Sequence, residues 1–509
     1  MTPPDPVRAA GVEHVGQVGH FDHECDVLVV GFGCAGAAAA YEAAAAGASV
    51  IVLERASGPG GSAAQSGGEI YLGGGTAVQR ACGFDDDDAE NMFAYLKEAL
   101  GPHADEEKLR LYCDGSVEHF EWFRARGVEF AGTLYDAPGW MPPTRDGLMW
   151  LGENAWPYNT VARPVPRGHR PPAPLFAGGV LMEKLSEAAT AAGAVAHADT
   201  RAESLVLDDS GRVAGATARH FGSPVTYRAR RGVIITTGGF VDNEEMLAGH
   251  ATALVGHGKV SDGLDDGSGI QMALAAGAAT RRMSSVQIAL TALPAALVRG
   301  MLVNALGQRF INEDVYPGMF SEAAVLHQPA PYWAIIDEKG YEDIPPEDVW
   351  GVRPKYAAET LAELEGELGM PAGALETAVG VYNRHAASGE DPYFHKDPKW
   401  LRPLTGPFAA LDPRDGFFGM GTETGVNGFT LGGLHTTSEG AVLSVSGAPV
   451  PGLYAAGRAA AGLHGEGYVS GTSIGDGTFF GRRAGQAAAD ETGAADETAA
   501  ANQTGEGAA

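Results

Sequence analysis

The residues Gly31-Phe32-Gly33-Cys34-Ala35-Gly36 fit the spacing G-x-G-x-x-G. Glycines in that register let a chain turn tightly and let the first turn of a helix approach a pyrophosphate. Glu54 follows about twenty positions later, where a carboxylate can accept the hydroxyls of an adenosine ribose. Arg55 adjoins it, and two more glycine turns follow, Gly58-Pro59-Gly60-Gly61-Ser62 and Ser66-Gly67-Gly68. A further element, Thr236-Thr237-Gly238-Gly239, lies mid-chain, and another, Gly452 to Gly457 with Arg458 after it, lies near the far end. A simple NAD domain has no need of the paired-glycine turns. Motifs so far apart must converge if they serve one ligand, and they predict an extended FAD bound by both ends of the chain.

Such motifs need a strand before them and a helix after them. CDVLVV (25–30) reads as a buried strand, the Ala-rich stretch after Gly33 as a helix, and SVIVLER (49–55) as a second strand. Residues 178–194 predict another helix, followed by alternating strands around Asp208–Gly211 and the apolar strand VIITT (233–237). Residues 84–130 read as helical. The run Asp85–Asp88 lacks the spaced ligands of a calcium loop and suits a helix N-terminus. Residues 133–175 hold Tyr135, Trp140, Trp150, Trp156, Tyr158 and many prolines. A loop of this length and character predicts a lid or pocket wall, or a surface excursion tied down by its aromatics. Residues 282–437 carry no dinucleotide signature and predict an inserted domain. Residues 1–24 read as a loose leader and 486–509 as a frayed tail of Ala, Gly and acid.

Composition narrows the function classes. The 509 residues suffice for two or three domains, and 64 acidic against 35 basic residues give a net charge of −29. That field disfavours nucleic acid and anionic membrane surfaces as partners. Hydrophobic residues make up 45% and charged residues 19%, the balance of a core-rich globular chain. The 73 glycines show no Gly-x-y period, which excludes collagen. Cys25, Cys34, Cys82 and Cys113 contain no Cys-x-x-Cys and read as free, buried thiols in a reducing, cytoplasmic compartment. The N-terminus has no apolar h-region, and the apolar stretch 286–298 is too short to span a bilayer, so no membrane span is expected. The fifteen histidines form no ligand cluster, so no metal is expected.

Seven segments, in order, resemble the fumarate reductase and succinate dehydrogenase flavoprotein family. They are GFGCAG (31–36), GPGGSAAQSGG (58–68), TTGGF (236–240), DDGSGIQMALAAGA (265–278), LVNALGQRFINED (302–314), FTLGGL (429–434) and GLYAAGR (452–458). The resemblance spans about residues 25–485. It implies an α/β fold, a Rossmann-like FAD-binding domain (25–281 and 438–485) interrupted by an α+β capping, catalytic domain (282–437). Catalysis would lie at their interface. Carried over by position, the FAD site comprises Gly31, Gly33, Ala35, Gly36, Glu54, Arg55, Gly61, Ser62, Ser66, Gly67, Gly68, Ala202, Thr237, Gly238, Gly457, Arg458, Ser473 and Ile474. Members with covalent flavin carry a His where this chain reads SAAQSGG, so non-covalent FAD is expected. Many members carry Glu where this chain has Arg458.

Members that reduce fumarate grip the dicarboxylate with His and Arg. Here the corresponding segment, His464 to Ser473, has no Arg and bears a Tyr, a poor dianion clamp. It resembles instead the steroid-desaturating branch, the 3-ketosteroid Δ4-(5α)-dehydrogenases above all. That branch has a Tyr and a Ser two apart, here Tyr468 and Ser470, and a Tyr after Arg-Phe-x-Asn-Glu, here Tyr316. Residues i and i+2 of an extended segment point the same way, so Tyr468 and Ser470 can face one pocket. A helix over 474–488 would aim its first amides at the flavin. The resemblance implies that Tyr468 with a backbone amide polarises a ketone and that Ser470 takes the neighbouring proton. Serine alone is a feeble base, which calls for Tyr316 as its phenol partner. The competing readings are a packed aromatic for Tyr468 and a turn cap for Ser470. The expected activity is desaturation of an apolar 3-ketosteroid between carbons 4 and 5, with an unidentified electron acceptor. Δ1-desaturation, fumarate reduction and a non-catalytic flavin electron-transfer subunit are the alternatives.

Overall fold

The computed structural model describes residues 11–290, 294–346, 353–415 and 424–491. The apolar run at 27–30 is fully buried because its strand lies inside a nine-stranded sheet. The elements that concern the site are β1 (Val12–His14), β2 (His23–Val30), α1 (Cys34–Ala45), β3 (Val50–Leu53), β4 (Val195–His197), β5 (Thr200–Leu207), β6 (Val213–His220), β7 (Ser223–Ile235), β8 (Val286–Leu290), β9 (Val426–Thr430), β10 (Ala441–Leu443), β11 (Pro449–Ala455) and α2 (Thr472–Asp490). The large sheet runs β1-β5-β6-β7-β2-β3-β4, with β11 also on β7 and β10 on β11. β5, β6 and β7 form an antiparallel meander, whereas β7, β2, β3 and β4 run parallel. The last residues of β7 pair with β11, Val233 opposite Leu453, and on their other side with β2, so the late segment of the chain lies one strand away from β2.

The Ala- and Gly-rich composition has a packing cause. α2 lies along α1 with almost no side chain between them. A Cβ placed on Gly481 would sit 2.6 Å from the Ala35 carbonyl oxygen, and one on Gly485 would sit 2.2 Å from that of Ala39. Ala38, Ala39, Ala40 and Ala43 are fully buried in the same layer. The helices thus approach to backbone contact, and both of their N-termini arrive at the carboxyl edge of the sheet.

The inserted segment has a core of its own. Strands 301–303, 333–337, 408–411 and 356–358 form an antiparallel sheet covered by helices Leu361–Leu368 and Ala374–Ala386. Met301, Trp333, Ile335, Leu364 and Val379 centre that core. Fully buried Glu313 ties it together, accepting from Arg309 at 2.9 and 2.8 Å and pairing with Lys396 at 3.1 Å. β8 and β9 pair beside the cavity that faces the large sheet.

Several segments depart from the sequence expectations. Part of the stretch expected as a leader is ordered, because β1 pairs with β5 as an edge strand and Asp22 exchanges hydrogen bonds with Thr226. The last helix starts at Thr472 and reaches Asp490, because Ala488 and Ala489 still find buried positions on the core. The rest of the expected tail, 492–509, and residues 1–10 lie outside the described residues. Cys25 and Cys113 are buried, but Cys34 and Cys82 are only partly so; all four are unpaired. Asp88 caps helix Ala89–Ala99, accepting from Asn91 N at 2.7 Å, while Asp87 is buried in a pair with Arg167 at 2.6 Å. The aromatic stretch 133–175 is tied down by three two-residue strands, of which Gly168–His169 pairs with Ile70–Tyr71. Among the described residues no helix is long and apolar enough to cross a membrane.

Candidate active site

At the carboxyl end of β2, Gly31 takes a φ of +102°, and a Cβ there would strike the Thr236 carbonyl at 2.6 Å. Thr236 Oγ1 donates to Val30 O and Gly31 O at 3.0 and 2.9 Å, locking this turn to the end of β7. A Cβ on Gly36 would lie 2.0 Å from Gly31 O, so the helix presses directly on the turn. Gly33 differs, since its Cβ direction meets nothing closer than 4.0 Å. It is also the N-cap of α1, and no side chain caps the first amides. An uncapped helix N-terminus beside deliberately open space suits a pyrophosphate. Glu54 is 8% exposed and accepts from Phe32 N at 2.8 Å and Ala56 N at 2.7 Å. It therefore braces the glycine turn as well as facing the cavity, and burial raises its pKa. Thr237 Oγ1 is buried without a protein partner, as expected of a group awaiting a ligand.

One cavity of about 450 Å³ extends from this turn to the segment 468–474. Gly31, Gly33, Ala35, Glu54, Arg55, Gly61, Ser62, Ser66, Gly67, Ala202, Thr237, Gly238, Gly457, Arg458, Ser473 and Ile474 all line it. Gly36 and Gly68 do not. Gly36 presses on the turn, and Gly68, with φ +76°, packs against the backbone of Ala177 and Gly178. The cradle of Cβ-free backbone, the uncapped helix and the unpartnered hydroxyl together fit an FAD. Arg458 pairs with Asp265 at 2.5 Å and lies over the Phe429 ring, so its charge is met within the site.

The other end of the cavity carries hydroxyls. The segment 462–471 is seated by glycines. A Cβ on Gly467 would lie 2.2 Å from Ala99 O, and one on Gly471 would lie 2.6 Å from Tyr71 N. Gly465 N and Gly467 N both donate to Leu100 O at 3.1 Å. So fixed, Tyr468 and Ser470 both line the cavity. Ser470 Oγ lies 2.6 Å from Tyr316 Oη, and Tyr316, 2% exposed, stands behind Ser470 at the start of helix Pro317–His327. Tyr468 stacks on His464 with centroids 5.4 Å apart and meets Phe429 edge-on. Burial raises the pKa of both phenols, so they stay protonated donors at neutral pH. Burial and then Arg282 push His464 down to about 3, so it is a neutral plate rather than a cation. Its Nε2 lies 2.8 Å from Thr472 Oγ1, which itself donates to Val469 O, so His464 must donate here.

The aromatic stretch, expected as a lid or pocket wall, does supply wall residues, whereas sequence reasoning missed Phe176, Gln287, Phe429 and Glu69. Trp140 and Met141 from the aromatic stretch and Phe176 just beyond it line the cavity, and Trp140 meets Tyr316 edge-on at 5.7 Å. Gln287 and Phe429 come from the facing pair β8–β9. Glu69 also lines the cavity, with buried Arg170 behind it. No motif marks a lone Glu after Gly67-Gly68. The only available signal was an acid directly before the apolar strand Ile70–Tyr71.

The family described as FAD binding domain matches residues 26–474. The crystal structure of 3-ketosteroid-Δ4-(5α)-dehydrogenase from Rhodococcus jostii RHA1, in complex with 4-androstene-3,17-dione, is 47% identical. It covers 94% of this chain and 100% of that one, with a TM-score of 0.90. The 3-oxo-5-alpha-steroid 4-dehydrogenase of Comamonas testosteroni is 27% identical over 85% of this chain and 92% of its own. The Shewanella frigidimarina protein named "Probable fumarate reductase Ifc3" is 28% identical over 68% of this chain, which spans only 59% of that relative's length.

Proposed function

From the premise that this chain belongs to the FAD-binding domain family, we propose that it is an FAD-dependent desaturase of 3-ketosteroids, forming the carbon 4–carbon 5 double bond of a 5α-3-ketosteroid. The observation that carries the reading is Ser470, backed by the Tyr316 hydroxyl and opening with Tyr468 on the same cavity as the cofactor cradle.

FAD, when bound, supplies the acceptor for the hydride from carbon 5. We assign its pyrophosphate to Gly33 and the first turn of α1, its adenosine ribose to Glu54, and its other contacts to the glycine turns at 61–67, 238 and 457 with Ser473 and Ile474. The remaining chemistry falls to side chains. Tyr468, protonated and held flat by His464 and Phe429, donates to the ketone oxygen and acidifies the hydrogens on carbon 4. Ser470 takes the proton from carbon 4 while passing its own hydrogen to Tyr316, since an unaided serine is too weak a base. Trp140, Met141, Phe176 and Phe429 present the apolar walls that a flat ring system needs and keep water from the site.

A dicarboxylate reading fits poorly. Among the described residues, each cation lining the cavity already faces a carboxylate. Arg55 and Arg201 meet Asp266, Lys259 meets Glu244 and Arg458 meets Asp265. The four unpaired cysteines support a reducing, cytoplasmic setting. In the test, a saturated 5α-3-ketosteroid is mixed anaerobically with the yellow protein. The flavin absorbance should bleach, the product should carry its new double bond between carbons 4 and 5, and succinate should leave the colour unchanged. Bleaching by succinate but not by steroid overturns the reading.

A further inference from the structure

The hydroxyl pair leaves a proton to be placed. Neither Ser470 nor Tyr316 can keep it, because a cationic hydroxyl or a doubly protonated phenol is not a resting state. A buried acceptor with a free lone pair must stand nearby. Glu69 meets that description. Its side chain is 8% exposed, it lines the cavity with Tyr468 and Ser470, and its Oε1 has no hydrogen-bond partner. Its backbone lies directly against the segment that carries Ser470. Tyr71 N donates to Gly471 O at 3.1 Å, and a Cβ on Gly471 would approach the Glu69 carbonyl carbon to 3.1 Å.

We propose that Glu69 is the terminal proton acceptor of the Ser470–Tyr316 relay. The inference rests on the desaturase reading above. The carbon 4–hydrogen bond breaks and its proton joins Ser470 Oγ. The serine hydrogen passes to Tyr316 Oη, and the tyrosine hydrogen passes, directly or through one water, to Glu69 Oε1. The carboxylate ends as a neutral acid, and the electron pair left on carbon 4 forms the new double bond as carbon 5 gives up its hydride to FAD.

The charged and titratable groups facing Glu69 agree with this role. The guanidinium of fully buried Arg170 stands 3.7 Å away, its Nε unpartnered, close enough to favour a carboxylate without capturing it by a hydrogen bond. Both terminal nitrogens of Arg170 are engaged, by the carbonyls of Pro142, Gly67 and Leu175. The Tyr316 and Tyr468 phenols are neutral, and the Glu69 charge helps keep them so. Burial, partly offset by Arg170, pushes Glu69 up to about 7, where it can both take and release a proton at working pH.

The test is the anaerobic rate of flavin bleaching by a 5α-3-ketosteroid as a function of pH, in wild type, Glu69→Gln and Glu69→Asp. The wild-type rate should rise with pH through one ionisation near neutrality, because only the carboxylate accepts. Glu69→Gln should lose about 10²- to 10⁴-fold in rate and lose that ionisation, with FAD content and steroid binding kept. Glu69→Asp should restore part of the rate with the ionisation displaced. Infrared titration of the resting wild-type protein gives a readout independent of turnover, in which a carboxylic C=O band absent from Glu69→Gln and displaced in Glu69→Asp should appear as pH falls through neutrality. A Glu69→Gln protein with wild-type rate and pH profile, or a wild-type protein without that band, overturns the assignment while leaving the desaturase reading intact. Failure of wild-type protein to bleach with steroid at any pH overturns the desaturase reading and this inference with it.

Discussion

Two glycines in helices should respond oppositely to the same substitution. Gly380 lies exposed in helix Ala374–Ala386, and a Cβ there meets nothing within 4 Å. Gly380→Ala should therefore show the bare helix preference, a gain of about 1 kcal/mol. Gly485 enjoys the same preference but faces α1. Its Cβ would sit 2.2 Å from Ala39 O, against the 3.4 Å at which ordinary contact begins, so the helices must part by about an ångström. The obstacle is backbone on both sides, and no side chain can swing away. Forcing such a contact costs about 1–3 kcal/mol, and a gap of that size also forfeits a quarter to a half of the dispersion along the seam. The clash outweighs the helix gain, leaving a net loss of about 1–2 kcal/mol for Gly485→Ala. Thermal unfolding followed by circular dichroism, with FAD at fixed excess, reads both variants. Tm should rise for Gly380→Ala and fall by a few degrees for Gly485→Ala. If Gly485→Ala melts at or above wild type, the tight seam and the packing account of the Ala-rich sequence are refuted.

Ser470→Ala and Tyr316→Phe should each lower the rate of steroid-driven flavin reduction by about 10²- to 10⁴-fold, and the double variant should be scarcely worse than either single one; multiplicative losses in stopped-flow traces would separate their roles. Glu54→Ala should weaken FAD binding at least about tenfold, since it also strands Phe32 N and Ala56 N at roughly 1–3 kcal/mol each, and fluorescence titration of apoprotein checks this. Glu313→Gln should destabilise the inserted segment by about 3–5 kcal/mol, because Lys396 loses its buried carboxylate and Arg309 keeps only Asp391. Burial alone would raise the Glu313 pKa, but Arg309 and Lys396 outweigh it and hold the carboxyl at about 2. Its stabilisation is therefore full above the ordinary 4.5 and fades as pH falls toward 2, so the gap between wild type and Glu313→Gln in melting scans should close over that range.

The dinucleotide end was legible in the sequence because its chemistry is written in backbone. Gly31 and Gly36 each exclude a Cβ for a separate steric reason, Gly33 leaves its Cβ direction open for a ligand, and their spacing is fixed by one strand-to-helix turn. The hydroxyl end was legible only through family resemblance, since a Tyr and a Ser two apart have ordinary structural uses. Glu69 was marked only by its place before an apolar strand, which is no motif. Its meaning depends on burial beside Arg170 and on contact with Gly471, both set by residues far away in the chain. The leader was misjudged for a related reason. Val12–His14 has too little pattern to announce a strand, and only the open edge of β5 gives it a partner.

The seam between α1 and α2 also orders events during synthesis. β2, its glycine turn and α1 leave the ribosome several hundred residues before α2 does. Until then the face of α1 that carries Ala35 and Ala39 lacks Gly481 and Gly485, and the cradle lacks the wall formed by Ser473 and Ile474. Domains generally fold as units as they emerge, but this one is closed by its latest part. A nascent chain therefore cannot hold flavin on the terms that the finished one does. Yellow colour reports that synthesis has passed α2, and a chain cut short before Thr472 should be colourless, with an alanine face exposed to the surveillance of chaperones and proteases.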